Sequence, residues 1–191
     1  MRMLIMGPPG AGKGTQAKLI GEHYGIPAIS TGDMFRAMKS ADSPLARQVR
    51  AIMESGGYVS DEITNAIVAS RLAQGDCDHG FLLDGYPRTL QQVQTLDEYL
   101  EAAGKPLDAV ISLVADEDEL IQRLLKRSQI DGRADDNEDT IRKRLHIYAE
   151  QTEPLLNVYR TRGLLIEVDG LGSVDEVSGR VYAALDSRVA S

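Results

Sequence analysis

The sequence holds no tryptophan, two phenylalanines and a single cysteine, Cys77, in 191 residues. One cysteine can neither close an internal disulfide nor assemble a structural zinc site, so a reducing compartment is expected, with Cys77 as an inert buried thiol. Long apolar runs are lacking too. The first, Met3 to Met6, falls far short of the roughly 20 residues a bilayer span needs, and it passes straight into a Gly/Pro loop, unlike a signal peptide. A cytoplasmic protein without a membrane partner is the expectation. Basic charge is also scarce, with Lys+Arg 21 against Asp+Glu 29 and a formal net charge of -8. That excludes a general nucleic-acid binder, which needs a basic footprint, but leaves local arginine clusters able to hold small anions.

What is present is ordinary for a soluble domain: 42% hydrophobic and 26% charged residues, in a length that suits one core with small inserts. Short apolar runs at Met3 to Met6, Ala28 to Ile29, Phe81 to Leu83, Ala109 to Val114 and Leu164 to Val168 predict five strands. Between them, apolar spacing predicts helices at Gly14 to Tyr24, Pro44 to Glu54, Asp61 to Ala73, Leu90 to Ala102, Asp118 to Ser128, Asn137 to Arg160 and Val174 to Leu185. Ser60 and Asp116 stand where N-caps belong. The alternation implies an α/β fold in three layers, a five-stranded parallel sheet flanked by helices, with ligands at the carboxyl ends of the strands. Residues 30–60 and 127–136 are the least core-like and are expected to be mobile inserts.

Gly7-Pro8-Pro9-Gly10-Ala11-Gly12-Lys13-Gly14-Thr15 follows the first predicted strand and opens a helix. This is the context of a phosphate-binding loop (P-loop): glycines let backbone N–H groups turn inward, the helix N-terminus favours anions, and Lys13 adds a point charge. The common form has a hydroxyl directly after the lysine, whereas Gly14 stands there and Thr15 follows. A magnesium ion must then lean on the nucleotide and on waters held by a carboxylate. Asp84, closing Phe81-Leu82-Leu83-Asp84 at a strand end, is the candidate, alongside its plainer role as a turn residue before Gly85.

Phe81-Leu82-Leu83-Asp84-Gly85-Tyr86-Pro87-Arg88-Thr89 resembles the signature of the adenylate kinase family, and the P-loop matches the same family. Ser30-Thr31-Gly32-Asp33-Met34-Phe35-Arg36 and Gly57-Tyr58-Val59-Ser60-Asp61 resemble its monophosphate-binding segment, in register from Met1 to about Val177. The resemblance implies a P-loop NTPase-type core at 1–29, 60–126 and 137–191, an AMP-binding insert at 30–59 and a lid at 127–136. It implies that Thr31, Arg36, Gly57, Tyr58, Val59, Gly85, Tyr86, Pro87, Arg88, Gln92, Arg133 and Arg144 bind AMP. Gly10, Ala11, Gly12, Lys13, Gly14, Thr15, Arg123, Arg127 and Gly172 would bind ATP, and Lys13, Arg88, Arg127, Arg133 and Arg144 would act on the transferred group.

The residue types suit these roles. Arg36 and Arg88 can fork onto a phosphate. Gln92, four residues past Arg88, shares its helix face and can both donate to and accept from an adenine edge. Arg123 and Arg127 at i, i+4 want an anion or an aromatic face between them. Of Arg142, Lys143 and Arg144, spacing does not choose the inward one; the family register picks Arg144. Asp135 and Asp136 resemble lid aspartates that hold arginines, and a helix-start acidic cluster explains them equally. Five residues separate Arg127 from Arg133, so the lid is the short form, and no zinc site is expected, since His23, His79 and His146 show no ligand spacing.

The implied reaction is reversible Mg-dependent transfer from ATP to AMP giving two ADP, by a monomer whose partners are ATP, AMP and ADP. Two rivals remain at this stage: a UMP/CMP-type monophosphate kinase, and a nucleotide-dependent switch. Against the switch, no Asn-Lys-x-Asp guanine-reading motif is found, and a second arginine-rich phosphate site would serve no purpose there.

Overall fold

A computed structural model describes residues 1–38, 43–133 and 136–189 of the chain. Five strands, β1 (Arg2–Met6), β2 (Ala28–Ser30), β3 (Phe81–Asp84), β4 (Ala109–Val114) and β5 (Leu165–Asp169), form one parallel sheet in the order β2-β3-β1-β4-β5. Each expected strand is there, within one or two residues of its predicted ends. Helices α1 (Lys13–Tyr24), α2 (Thr31–Ala37), α3 (Pro44–Glu54), α4 (Asp61–Leu72), α5 (Leu90–Ala102), α6 (Glu117–Asp131), α7 (Glu138–Ile147), α8 (Leu155–Thr161) and α9 (Val174–Val189) connect and flank the strands. Among the described residues no helix is long and apolar enough to cross a membrane.

Strand alternation divides the core. Met3 and Ile5 of β1 face a cluster with Ala17 and Ile20 of α1 and Val177, Val181 and Leu185 of α9. Leu4 and Met6 face the opposite cluster, with Val68 and Leu72 of α4, Val93, Leu96 and Leu100 of α5, and Leu155 and Tyr159 of α8. Successive strand side chains point to opposite faces, so both faces must be covered, which is why these strands read as unbroken apolar runs. A third, smaller cluster of Phe35, Val49 and Val59 lies apart from both, between α2, α3 and the segment before α4.

The caps are where the sequence put them. Ser60 accepts from the Ile63 amide, and Asp116 from the Glu119 amide at 3.0 Å. One expectation is corrected: Asn137 to Arg160 is not a single helix. α7 ends at Ile147, a π-helical turn covers Tyr148–Thr152, where the Glu153 amide reaches back five residues to the Tyr148 carbonyl, and α8 begins at Leu155. Pro154 is the cause, since it has no N–H to donate and its ring collides with the carbonyl four residues back. α2 is a helix that apolar spacing did not predict; started by the Ser30 hydroxyl on the Asp33 amide, it lies in the segment expected to be a mobile insert.

Candidate active site

Most of the expected site residues gather at the carboxyl ends of the strands, around the P-loop. β1 leads through the P-loop into α1, with Gly10 and Gly12 at φ of 87° and 89°. Such left-handed backbone costs a residue with a side chain about 1–2 kcal/mol, and it brings the first-turn amides of α1 to the loop's interior. Lys13 donates from Nζ to the Pro8 carbonyl at 3.0 Å. Asp84 ends β3, level with Ile5 on β1 and Ser30 on β2, and is buried. A Cβ on Gly14 would stand 3.7 Å from Asp84 Oδ2, so the missing hydroxyl leaves room beside the carboxylate.

Burial dominates the electrostatics of this pair. Desolvation lowers the Lys13 ammonium to a pKa of about 8; Asp84 opposes that shift, while Arg88, Arg144 and Arg127 reinforce it. Desolvation likewise raises the Asp84 carboxyl, against Lys13 and Arg88. Each charge is thus disfavoured by burial more than it is favoured by its partner. Four cations far apart in sequence share one field, and an added anion would relieve it.

Two cavities open from the P-loop. One is walled by Arg36, the Gly57 to Val59 segment, Gly85 to Arg88 and Arg144, with Lys13 at its edge. The other is walled by Gly10, Ala11, Gly12 and Thr15 together with Arg123 and Gly172. The first therefore gathers the residues expected for AMP except Thr31, Gln92 and Arg133. The second gathers those expected for ATP except Lys13, Gly14 and Arg127.

The arginines are held in different ways. Arg36 is paired with Asp33 on its own helix. Arg88 donates from Nε to the Gly85 carbonyl at 2.7 Å, and its guanidinium lies over the Tyr58 ring, 5.0 Å from the centroid. Arg123 donates to Glu119 at 2.8 Å and to the Gly170 carbonyl at 3.0 Å, tying α6 to the loop after β5. Arg127, which lies on α6 because that helix runs on to Asp131, grips Asp136 with two bonds of 2.7 Å; Arg144 adds a third from α7. Asp136 is buried, and although desolvation raises its carboxyl, the two arginines outweigh that and hold it below the usual carboxylate range. Of the three basic residues considered at 142–144, Arg144 faces the cleft, while Arg142 pairs with Glu138 in solvent. Arg133 follows the Gly132 cap, its guanidinium 4.0 Å from Asp131. Asp135 lies outside the described residues.

Thr31 and Gln92 sit behind the first cavity rather than on its wall. The buried Thr31 hydroxyl donates to the Gly85 carbonyl at 2.9 Å. The buried Gln92 amide accepts from the Arg88 amide at 2.7 Å and donates to Asp61 at 2.8 Å, which fixes the orientation of its two ends.

A family model described as adenylate kinase matches residues 5–164. The chain belongs to the adenylate kinase family. Its similarity to curated relatives runs nearly end to end. Adenylate kinase of Leifsonia xyli subsp. xyli is 59% identical over 97% of this chain and 94% of the relative. That of Nocardioides sp. is 55% identical over 97% of each, and that of Thermobifida fusca 53% identical over 98% of this chain and all of the relative.

Three supports of the cleft stand out: sequence reasoning missed Asp61 and Thr152, and left Asp136 open between a lid aspartate that holds arginines and a helix-start acid. Asp61 accepts from both Thr89 and Gln92 at the start of α5. Asp136 ties two helices. Thr152 reaches the Arg88 carbonyl at 2.8 Å from the π-helical turn. Asp61 and Thr152 offered no signal, because their partners are 28 to 64 residues away. Adenylate kinases use Mg2+ with ATP. Among the described residues no group of three or more His, Cys, Asp or Glu could hold a metal, so a hard cation here would rest on one carboxylate, water and phosphate oxygens. That arrangement fits the room beside Asp84.

Proposed function

We propose that the cavity beside Arg88 receives AMP, that the cavity beside Gly172 receives ATP, and that the terminal phosphoryl passes between them over Lys13. The observation that carries this reading is the P-loop's place in the walls of both cavities: Lys13 borders the first, and Gly10 to Gly12 border the second. One loop is thus positioned to hold the donor's phosphates while its lysine faces the acceptor.

The AMP phosphate needs no general base, because with a second pKa of about 6 it is already ionised at neutral pH. What the chain supplies is orientation and charge. Arg36 and Arg88 hold the acceptor phosphate, Lys13 and Arg127 the donor's, and Arg144 and Arg133 the group in transit, each such donor being worth roughly 3 kcal/mol in the transition state. Gly57 to Val59 and Gly85 to Pro87 enclose AMP, with Thr31 and Gln92 setting the backbone behind them. Gly14 and Thr15 offer their amides to phosphate; Arg123 and Gly172 flank the base of ATP. Asp84 would hold Mg2+ through water, and the ion would neutralise charge on the donor phosphates. Residues 30–59, whose apolar residues Phe35, Val49 and Val59 cluster separately, form the AMP insert and 127–136 the short lid. Together they exclude water that would otherwise hydrolyse ATP. In this reading the enzyme is a cytoplasmic monomer.

The test is ADP formation from MgATP with AMP, UMP, CMP or GMP offered singly. Strong preference for AMP is expected; preference for a pyrimidine acceptor would overturn the assignment of the first cavity to AMP.

A further inference from the structure

We infer that Thr152 is a positioning residue for the acceptor phosphate, joining the AMP insert to the backbone of Arg88 through a single hydroxyl. Thr152 is buried on the π-helical turn and reaches two elements at once. Its hydroxyl donates to the Arg88 carbonyl at 2.8 Å. A threonine has one hydroxyl proton, so at the 2.8 Å contact with the Tyr58 hydroxyl it is the tyrosine that donates.

The same Tyr58 ring lies beneath the Arg88 guanidinium. Arg88 is therefore held from both ends: its carbonyl by Thr152, and its charged head by Tyr58, which Thr152 also fixes. Among the described residues Arg88 has no carboxylate partner, so this neutral contact with Tyr58, together with the Gly85 carbonyl, sets where the guanidinium stands. Tyr58 belongs to the insert and Thr152 to the core. The insert also meets the core at Gly56, where an added Cβ would fall 2.7 Å from Thr140 Cγ2 and 3.1 Å from Arg144 Cγ. The seating of Tyr58 and Gly56 against the core and the orientation of Arg88 are thus coupled.

The π-helical turn explains why Thr152 can do this. Pro154 interrupts the helix, and the wider turn that results places residue 152 on the cavity wall, as it does Tyr148.

The inference rests on the assignment of AMP to this cavity, and the experiment separates the two. Thr152→Val, Thr152→Ser, Tyr58→Phe, the double variant Tyr58→Phe/Thr152→Val and Arg36→Ala are compared with wild type by varying AMP and MgATP in turn, with melting temperatures measured alongside. Thr152→Val is expected to raise KM for AMP about fivefold, the worth of one hydrogen bond, while KM for ATP stays where it was. Tyr58→Phe, which keeps the ring under Arg88, raises it similarly; the double variant is no worse than the single ones, and Thr152→Ser restores the wild-type value. A lower melting temperature with KM for AMP unchanged, or a parallel rise in both KM values, overturns the inference. If Arg36→Ala raises KM for AMP and Thr152→Val does not, the site assignment stands and the inference falls; if neither does, both fall.

Discussion

Arg144 donates from Nη1 to Oδ1 of Asp136 at 2.7 Å, and Asp136 has no exposed surface. Arg127 binds the same carboxylate, so two guanidiniums from α6 and α7 converge on one buried charge between them. The carboxylate fastens the two helices and holds Arg144, which lines the first cavity, beside Arg127.

Removing that charge should cost stability as well as rate. Asp136→Asn is expected to lose about 3 kcal/mol in urea unfolding, at the low end for a broken buried pair, because both arginines retain some access to solvent. The carboxyl is held low in the folded chain, against about 3.9 when unfolded. Its contribution is therefore complete above pH 4 and lost as pH falls through the lower folded value. Wild type should destabilise over that acid range more steeply than Asp136→Asn.

Lys13 gives the opposite pH behaviour. Its pKa is near 8 in the free protein, below the ordinary 10.4 or so, and a bound triphosphate must raise it. ATP binding should then take up about half a proton at pH 8 and close to one at pH 9, and affinity should fall by up to about tenfold per pH unit above 8. Calorimetric titration in buffers of different ionisation enthalpy measures the uptake. A binding enthalpy independent of buffer at pH 8.5 would contradict the account.

Much of this was legible in the residues. All five strands are declared by apolar runs, because both faces of a parallel sheet are covered, and the P-loop and the Asp84 to Arg88 turn are contiguous motifs. What was hidden is relational. Asp136 looked as much like helix-start acid as a buried anchor, since burial depends on α6 extending to Asp131 and α7 returning beside it. Thr152 was placed inside a helix that Pro154 does not permit; the proline was visible, but its consequence for which way residue 152 faces was not. Gln92 was read as facing the nucleotide, yet its buried partners Asp61 and Arg88 occupy one site on each end of the amide.

Gly85 tests the tightness of the Arg88 turn. At φ of 80°, a Cβ here would fall 2.8 Å from both Arg88 Nη2 and Thr31 Oγ1. Gly85→Ala is expected to cost about 1–2 kcal/mol in backbone strain alone, and by displacing Arg88 to lower kcat/KM for AMP at least about tenfold. Circular dichroism melting and initial rates report the two effects separately.

Tyr159 predicts a quiet substitution. Among the described residues its hydroxyl is buried without a hydrogen-bond partner, in a cluster that also holds Tyr86, with the Arg162 guanidinium 5.6 Å from its ring centroid. Because an unsatisfied polar group costs about 1–3 kcal/mol, Tyr159→Phe should match or exceed wild-type stability, with unchanged kinetics. A loss beyond about 1 kcal/mol would reveal a partner for the hydroxyl.

The most direct measurement is ADP formation from MgATP and AMP by Arg88→Ala beside wild type, with folding verified by circular dichroism. The account predicts a fall of about 10²- to 10³-fold in kcat/KM for AMP, with KM for ATP little changed. A folded Arg88→Ala that turns over AMP at the wild-type rate would contradict the placement of the acceptor phosphate at this end of the sheet.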